Sequence, residues 1–308
     1  LTRQEQPDTS GKPTRLLFVG ITRDELTPLW KEALPEAGWQ RVSCEQWDNL
    51  NPGLLKQCRT VFLAGLPMRS ELTSADSAIA DLLVDYAKAG GGLLLTQNMD
   101  QVVTGMTLYF HMAERFGTQI LYEKVISDPD ATLKIGQWWP DTFTYTESVF
   151  APLNDGLSGL PYQSYMAMDS LCGVLPFLPS DPWQVTLSAG PKSRSEAYLV
   201  GLEEIDRKAR AQGFPSDVPL AGVREFGKGR VGYIGTKPLP LFFRAMKTQE
   251  DRDVYDSYMR KDFAGKPNGL VRFLTNAFTW LGGNADALAD APLAMAKASP
   301  RAFTTQWK

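Results

Sequence analysis

Three short runs of this chain are apolar almost without interruption: RLLFVGI (Arg15–Ile21), RTVFLAGLP (Arg59–Pro67) and GGGLLLTQ (Gly90–Gln97). A strand with one wet face alternates apolar and polar residues. A strand that is apolar at successive positions must be covered on both faces. The segments between these runs carry helix signals. Thr22 and Glu25 have the spacing of a capping box, ahead of a helix expected to reach about Ala37 and close at Gly38. Thr73 and Asp76 repeat the capping pattern, and Ile79, Leu82, Leu83 and Tyr86 then recur at helical spacing. WQRVSCEQW reads as a further strand. The first hundred residues therefore run strand, helix, strand, strand, helix, strand, which implies a parallel sheet with helices on both faces.

Beyond that point GMTLYFHMAERFG reads as a helix and TQILYEKVI as a strand. From about Asp128 to Gly222 the chain is rich in Pro and Gly and holds short alternating runs such as WQVTLSA and EAYLVGL. VREFGKGRVGYIGT is two β segments around a glycine turn. NGLVRFLTNAFTWLGG places Leu270, Phe273, Leu274, Ala277, Phe278 and Leu281 on one helical face, with Gly282 at the C-cap. The expected organisation is a linker over 1–14, one α/β domain over 15–283 with insertions at about 128–222 and 237–267, and a tail or linker over 284–308. The first residue is Leu, so the N-terminus is expected to be processed or trimmed. The polar start LTRQEQPDTSGKP points to a periplasmic or extracellular location, with the cytoplasm left open.

Of the 308 residues 43% are hydrophobic, enough for a substantial core, and the net charge of −3 gives no reason to expect nucleic acid or an anionic membrane as partner. No run of 18 apolar residues occurs, so no membrane span is expected. Cys44, Cys58 and Cys172 form no CxxC pair, and His111 is the only histidine, which argues against a Cys/His zinc site. No metal and no cofactor is expected.

YAKAGGGLLLTQ resembles the helix–turn–strand of class I glutamine amidotransferase-like domains, in their non-amidotransferase branch: trehalose-utilisation-type proteins and the trimerisation domain of large β-galactosidases. FAPLNDGLSGLPY (Phe150–Tyr162), REFGKGRVGYIGT and NGLVRFLTNAFTWL resemble further segments of that branch in the same order. The resemblance implies an α/β fold of flavodoxin-like kind, a doubly wound, mostly parallel sheet with an irregular β-rich insertion in the second half. It also implies a bacterial carbohydrate-processing context. The family's active members carry a nucleophilic Cys at the elbow after the fourth strand. Here Thr96, Gln97 and Asn98 stand there, and Ala151 takes the place of the family segment's leading His. A threonine needs a base within reach to attack, so glutaminase-type chemistry is judged absent. The expected role is a non-catalytic module for ligand binding or assembly. The alternative is a hydrolase of a glycan or similar small polar substrate.

Open α/β sheets bind ligands at the carboxyl ends of their strands. Arg23, Asp24, Gln97, Asn98 and Asp100 fall there and are candidate contacts for a carbohydrate or small polar ligand; the same residue types also cap helices and turns. Trp138 and Trp139, in GQWWPDTFTY, offer aromatic faces to a sugar or a partner, or one of them packs in the core. Asp100, Glu147 and Asp169 are the candidate acids for glycoside hydrolysis, with His111 as the available imidazole. His111 falls off the face made by Met106, Tyr109, Phe110 and Ala113, and is expected to face solvent. The charged stretch Lys237–Phe263, with Asp251, Asp253, Asp256 and Asp262, reads as a solvated amphipathic segment or an interface. A homo-oligomer or a neighbouring catalytic domain is the expected protein partner.

Overall fold

The computed structural model describes residues 14–20, 26, 28–69, 71–97, 106–134, 142–151, 153–163, 174–197, 212–236, 262, 265–288 and 291–295. The chain begins β1 (Thr14–Val19), α1 (Pro28–Glu36), β2 (Trp39–Cys44), α2 (Pro52–Leu55), β3 (Thr60–Leu63), α3 (Ser74–Ala89), β4 (Gly92–Leu95) and α4 (Thr107–Arg115). Short strands follow: β5 (Gln119–Ile120), β6 (Glu123–Ile126), β7 (Thr132–Lys134), β8 (Thr142–Thr146), β9 (Leu160–Gln163), β10 (Phe177–Leu178), β11 (Gln184–Ser188) and β12 (Arg194–Ala197). The hairpin β13 (Pro219–Phe226) and β14 (Gly229–Ile234) comes next, and α5 (Leu270–Leu281) closes the series.

Among the described residues seven strands form one sheet in the order β11-β13-β14-β4-β3-β1-β2. The five from β14 to β2 are mutually parallel, while β13 and β11 extend the sheet antiparallel. This is the flavodoxin-like, doubly wound arrangement, with β14 arriving late in sequence to fill the place beside β4. Smaller antiparallel sheets, β10-β5, β12-β6 and β7-β8-β9, make up the β-rich insertion.

Strand alternation divides the core in two. Leu17, Val19, Val61, Leu63, Leu93 and Leu95 point to the face covered by α3 and α4. Leu16, Phe18, Phe62 and Leu94 point to the face covered by α1 and α5. On the second face Phe18 and Phe62 meet edge to face at 5.2 Å, and Phe278 of α5 joins them at 5.7 Å from Phe62. All six apolar residues expected on the closing helix are buried.

The capping box at Thr73 and Asp76 is present, with Asp76 N–H donating to Thr73 Oγ1 at 3.1 Å and Thr73 N–H to Asp76 Oδ2 at 2.9 Å. The glycine run that ends α3 is sterically required. Gly90 has φ +129°, a Cβ on Gly91 would lie 2.3 Å from the Tyr86 ring, and one on Gly92 would lie 2.6 Å from the Leu281 backbone.

Three expectations are corrected. The first described helix begins at Pro28, with proline in its first turn, rather than next to the Thr22–Glu25 pattern, which lies outside the described residues. TQILYEKVI is two strands in two sheets, because at Leu121–Tyr122 the chain leaves the β10 partnership for that with β12. The link from β2 to β3 is not a bare loop: it holds a 3₁₀ turn at Trp47–Asn49 and the one-turn α2, capped by Asn51 accepting from Leu54 N–H at 3.0 Å. Four residues are too few to show a helical period. After Leu281 the chain continues in 3₁₀ turns over Gly282–Leu288, with Ala285, Leu288 and Ala291 buried.

Candidate functional site

The winding of the sheet reverses between β1 and β3, and a ligand crevice is expected above their carboxyl ends. Here the two backbones touch. Gly20 has φ +82°, and a Cβ on it would sit 1.5 Å from the carbonyl oxygen of Gly65. Ala64 and Gly65 both donate their N–H to the Val19 carbonyl, at 3.2 and 3.0 Å.

At the elbow after β4, Thr96 is 2% exposed and its hydroxyl donates to the Leu63 carbonyl at 2.7 Å. Gln97 beside it is fully buried. The loop after β3 is pinned across the elbow by Tyr109 of α4, whose hydroxyl accepts from Leu66 N–H at 2.7 Å and donates to the Leu66 carbonyl at 3.1 Å. Over the end of β14 the insertion folds back. Leu175 N–H donates to the Gly235 carbonyl at 3.0 Å, and the Tyr233 hydroxyl to the Leu175 carbonyl at 3.0 Å.

Beside this rim lies a buried carboxylate whose wider role the sequence reading missed. Asp76 accepts from the Trp47 indole N–H at 3.1 Å and from the Thr73 hydroxyl at 2.7 Å, in addition to its capping bond. Arg69 Nε lies 3.6 Å from it, and the Arg69 guanidinium also reaches Asp48 at 3.7 Å. The signal available in the sequence was the capping box alone.

His111 is partly buried on α4 rather than solvent-facing. Its helix buries Leu108 and Met112 as well as the expected four residues, so the apolar face wraps further round than expected. Burial lowers the His111 pKa below the usual histidine value, against the opposing pull of the Glu114 and Asp76 charges. Burial works against thiolate formation at both described cysteines. Cys44 Sγ donates to the Gln46 carbonyl at 3.2 Å and burial raises its pKa, while burial pushes the Cys58 thiol up to about 12.

Glu147 stands just past β8, exposed, paired with Lys266 Nζ at 2.9 Å; that ammonium lies 4.9 Å from the Tyr145 ring. Arg23, Asp24, Asn98, Asp100, Trp138, Trp139 and Asp169 lie outside the described residues, as do Cys172 and all of Lys237–Phe263 except Asp262. Among the described residues no three His, Cys, Asp or Glu side chains gather as a metal site, and no helix is long and apolar enough to cross a membrane. A cavity of about 880 Å³ lies away from the elbow, along the outer side of β2 between α1 and the Gln46–Leu54 segment.

No family model matches the chain, and no curated protein matches it. Among solved structures, the chain is similar to a cytoplasmic protein from Salmonella typhimurium at TM-score 0.47 and 11% identity, covering 87% of this chain and 98% of that one. A ThuA-like protein from Bacteroides uniformis aligns at TM-score 0.40 and 14% identity over 90% of this chain and 95% of that one. A catalytic mutant of a GH42 β-galactosidase from G. stearothermophilus aligns at TM-score 0.35 and 12% identity, over 80% of this chain and 30% of that one.

Proposed function

We propose that this chain is a non-catalytic amidotransferase-like module that binds a ligand or assembles with a partner, in a bacterial carbohydrate-processing system. The reading is supported above all by the state of the elbow. The residue in the nucleophile's place is a threonine whose hydroxyl donates into the sheet, with Gln97 buried beside it and Tyr109 holding the neighbouring loop down. A nucleophile there would need an exposed oxygen or sulfur with a base beside it. The carbohydrate context rests on the four sequence segments that resemble the non-amidotransferase branch.

The test is a turnover assay with glutamine, simple amides and a panel of aryl glycosides, run beside thermal shift with oligosaccharides. The expected result is no product, and the same absence for Thr96→Val. Turnover that disappears in Asp100→Asn or Asp169→Asn would replace this reading with a glycan hydrolase.

A further inference from the structure

Arg69 lies in the loop after β3, and Asp48 on the 3₁₀ turn after β2, so both stand at the carboxyl edge of the sheet, where a ligand crevice is expected. Their backbones are held in place. Arg69 pairs in parallel with Met106 ahead of α4. The turn of Asp48 is anchored by the buried Trp47, whose indole donates to Asp76 at 3.1 Å. An arginine presents its N–H donors as a rigid fork that matches a carboxylate in two bonds. Here the fork is attracted but not bonded. Its Nε is buried without an acceptor, 3.6 Å from Asp76 Oδ2, and a terminal nitrogen lies 3.7 Å from Asp48 Oδ2. Both separations exceed a hydrogen bond.

The two carboxylates differ in what they have left to offer. Asp76 is fully buried and both of its oxygens are engaged, Oδ1 by Trp47 and Oδ2 by the Thr73 N–H and hydroxyl. The Asp48 side chain is 61% exposed and that of Arg69 33%, so this donor and this acceptor both reach solvent.

The group that fits between them must accept from the fork and donate to the carboxylate at once. An oxygen about 2.8 Å from each nitrogen and oxygen bridges such a gap. A hydroxyl does both. A phosphate or carboxylate only accepts, and would add negative charge beside two aspartates. An ammonium only donates, and would face the guanidinium. A second hydroxyl on the adjacent carbon can take a remaining donor of the fork. We propose that Arg69 and Asp48 bind the vicinal hydroxyls of a sugar. This names the ligand class for the binding half of the proposed function and rests on that half.

The test follows the Arg69 Nε–H resonance of the isotope-labelled full chain by NMR. Methyl glucoside, methyl galactoside and methyl mannoside are each titrated to about 50 mM, the range that a few exposed hydrogen bonds can reach. At least one is expected to move the resonance, and its fully O-methylated derivative, which cannot donate to Asp48, is not. Binding to variants is followed on the sugar's own resonances. Asp48→Ala is expected to weaken it by about tenfold, and Arg69→Lys, which keeps the charge and loses the fork, by about as much. Circular dichroism confirms that both variants fold. Inorganic phosphate or acetamide moving the resonance as far as the sugars do overturns the ligand class. A resonance that no glycoside moves overturns the site. A thermal shift by the same glycosides would then place the sugar elsewhere and leave the binding reading standing, and a silent thermal shift would remove the carbohydrate reading as well. Hydrolysis of a glycoside bound at Arg69 would sink the non-catalytic reading and leave the site intact.

Discussion

Asp76 and Glu123 are both fully buried carboxylates that gather hydrogen-bond donors, but they are built in opposite ways. Asp76 sits in the wound half and takes two of its donors from Thr73, three residues away, with the Trp47 indole as the distant third. Glu123 sits in the insertion and gathers donors from far along the chain: the Ser195 hydroxyl, the Gln212 N–H, and the Gly213 N–H at 2.7 Å. Asp76 finishes a helix that has its own reasons to form. Glu123 adds a side-chain tie to the backbone pairing of β6 with β12 and joins both to the loop at Gln212–Phe214. Where propensity and periodicity are weak, a buried acid adds contacts between segments distant in sequence.

The contrast can be broken by substitution, read as urea unfolding. Glu123→Ala should cost the most, about 3–5 kcal/mol, because the buried Ser195 hydroxyl and two part-buried backbone N–H groups lose their acceptor together. Asp76→Ala should cost less, about 2–3 kcal/mol: one cap and one indole bond, with the Thr73 donors able to turn to water. An Asp76→Ala cost above that of Glu123→Ala would overturn the ranking. Ser195→Ala sharpens it. This hydroxyl donates to Glu123 and accepts from Phe214 N–H at 3.0 Å, so its loss should cost about 2 kcal/mol. Thr73→Ala should cost about 1 kcal/mol, the ordinary value of a cap.

The smallest effect concerns the imidazole near Asp76. The folded protein binds the His111 proton less readily than the unfolded chain does, so unfolding takes up a proton. Stability should therefore be full above the ordinary histidine pKa of about 6.5 and decline as pH falls below it. His111→Gln should flatten that part of the profile; an unchanged profile would mean that the ring is not the group responsible.

The same contrast explains what could be read in advance. The runs at Leu16–Val19, Val61–Leu63 and Leu93–Leu95 announced strands covered on both faces, since nothing else makes an uninterrupted apolar stretch useful. The Thr73–Asp76 box and the stripe on α5 were equally plain, because helical contacts fall three and four residues apart. The insertion was not legible. Its strands are two to five residues long, and its hub is assembled from positions far apart in sequence. At the elbow, the missing cysteine could be seen directly. That Thr96 donates to Leu63 could not, because the acceptor is a backbone carbonyl, which carries no residue signature. Nor could the sequence tell that β2 is the outermost described strand, since strand order depends on where β14 inserts.

That late insertion has a consequence for how the molecule is made. As the chain leaves the ribosome, β1 to β4 emerge together, yet β4 must wait from Leu95 to Gly229 for the strand that lies beside it. At roughly 5–20 residues per second the wait is on the order of ten seconds. Throughout it the nascent protein carries a raw, apolar flank, one that a chaperone or a neighbouring nascent chain can reach before its own hairpin does.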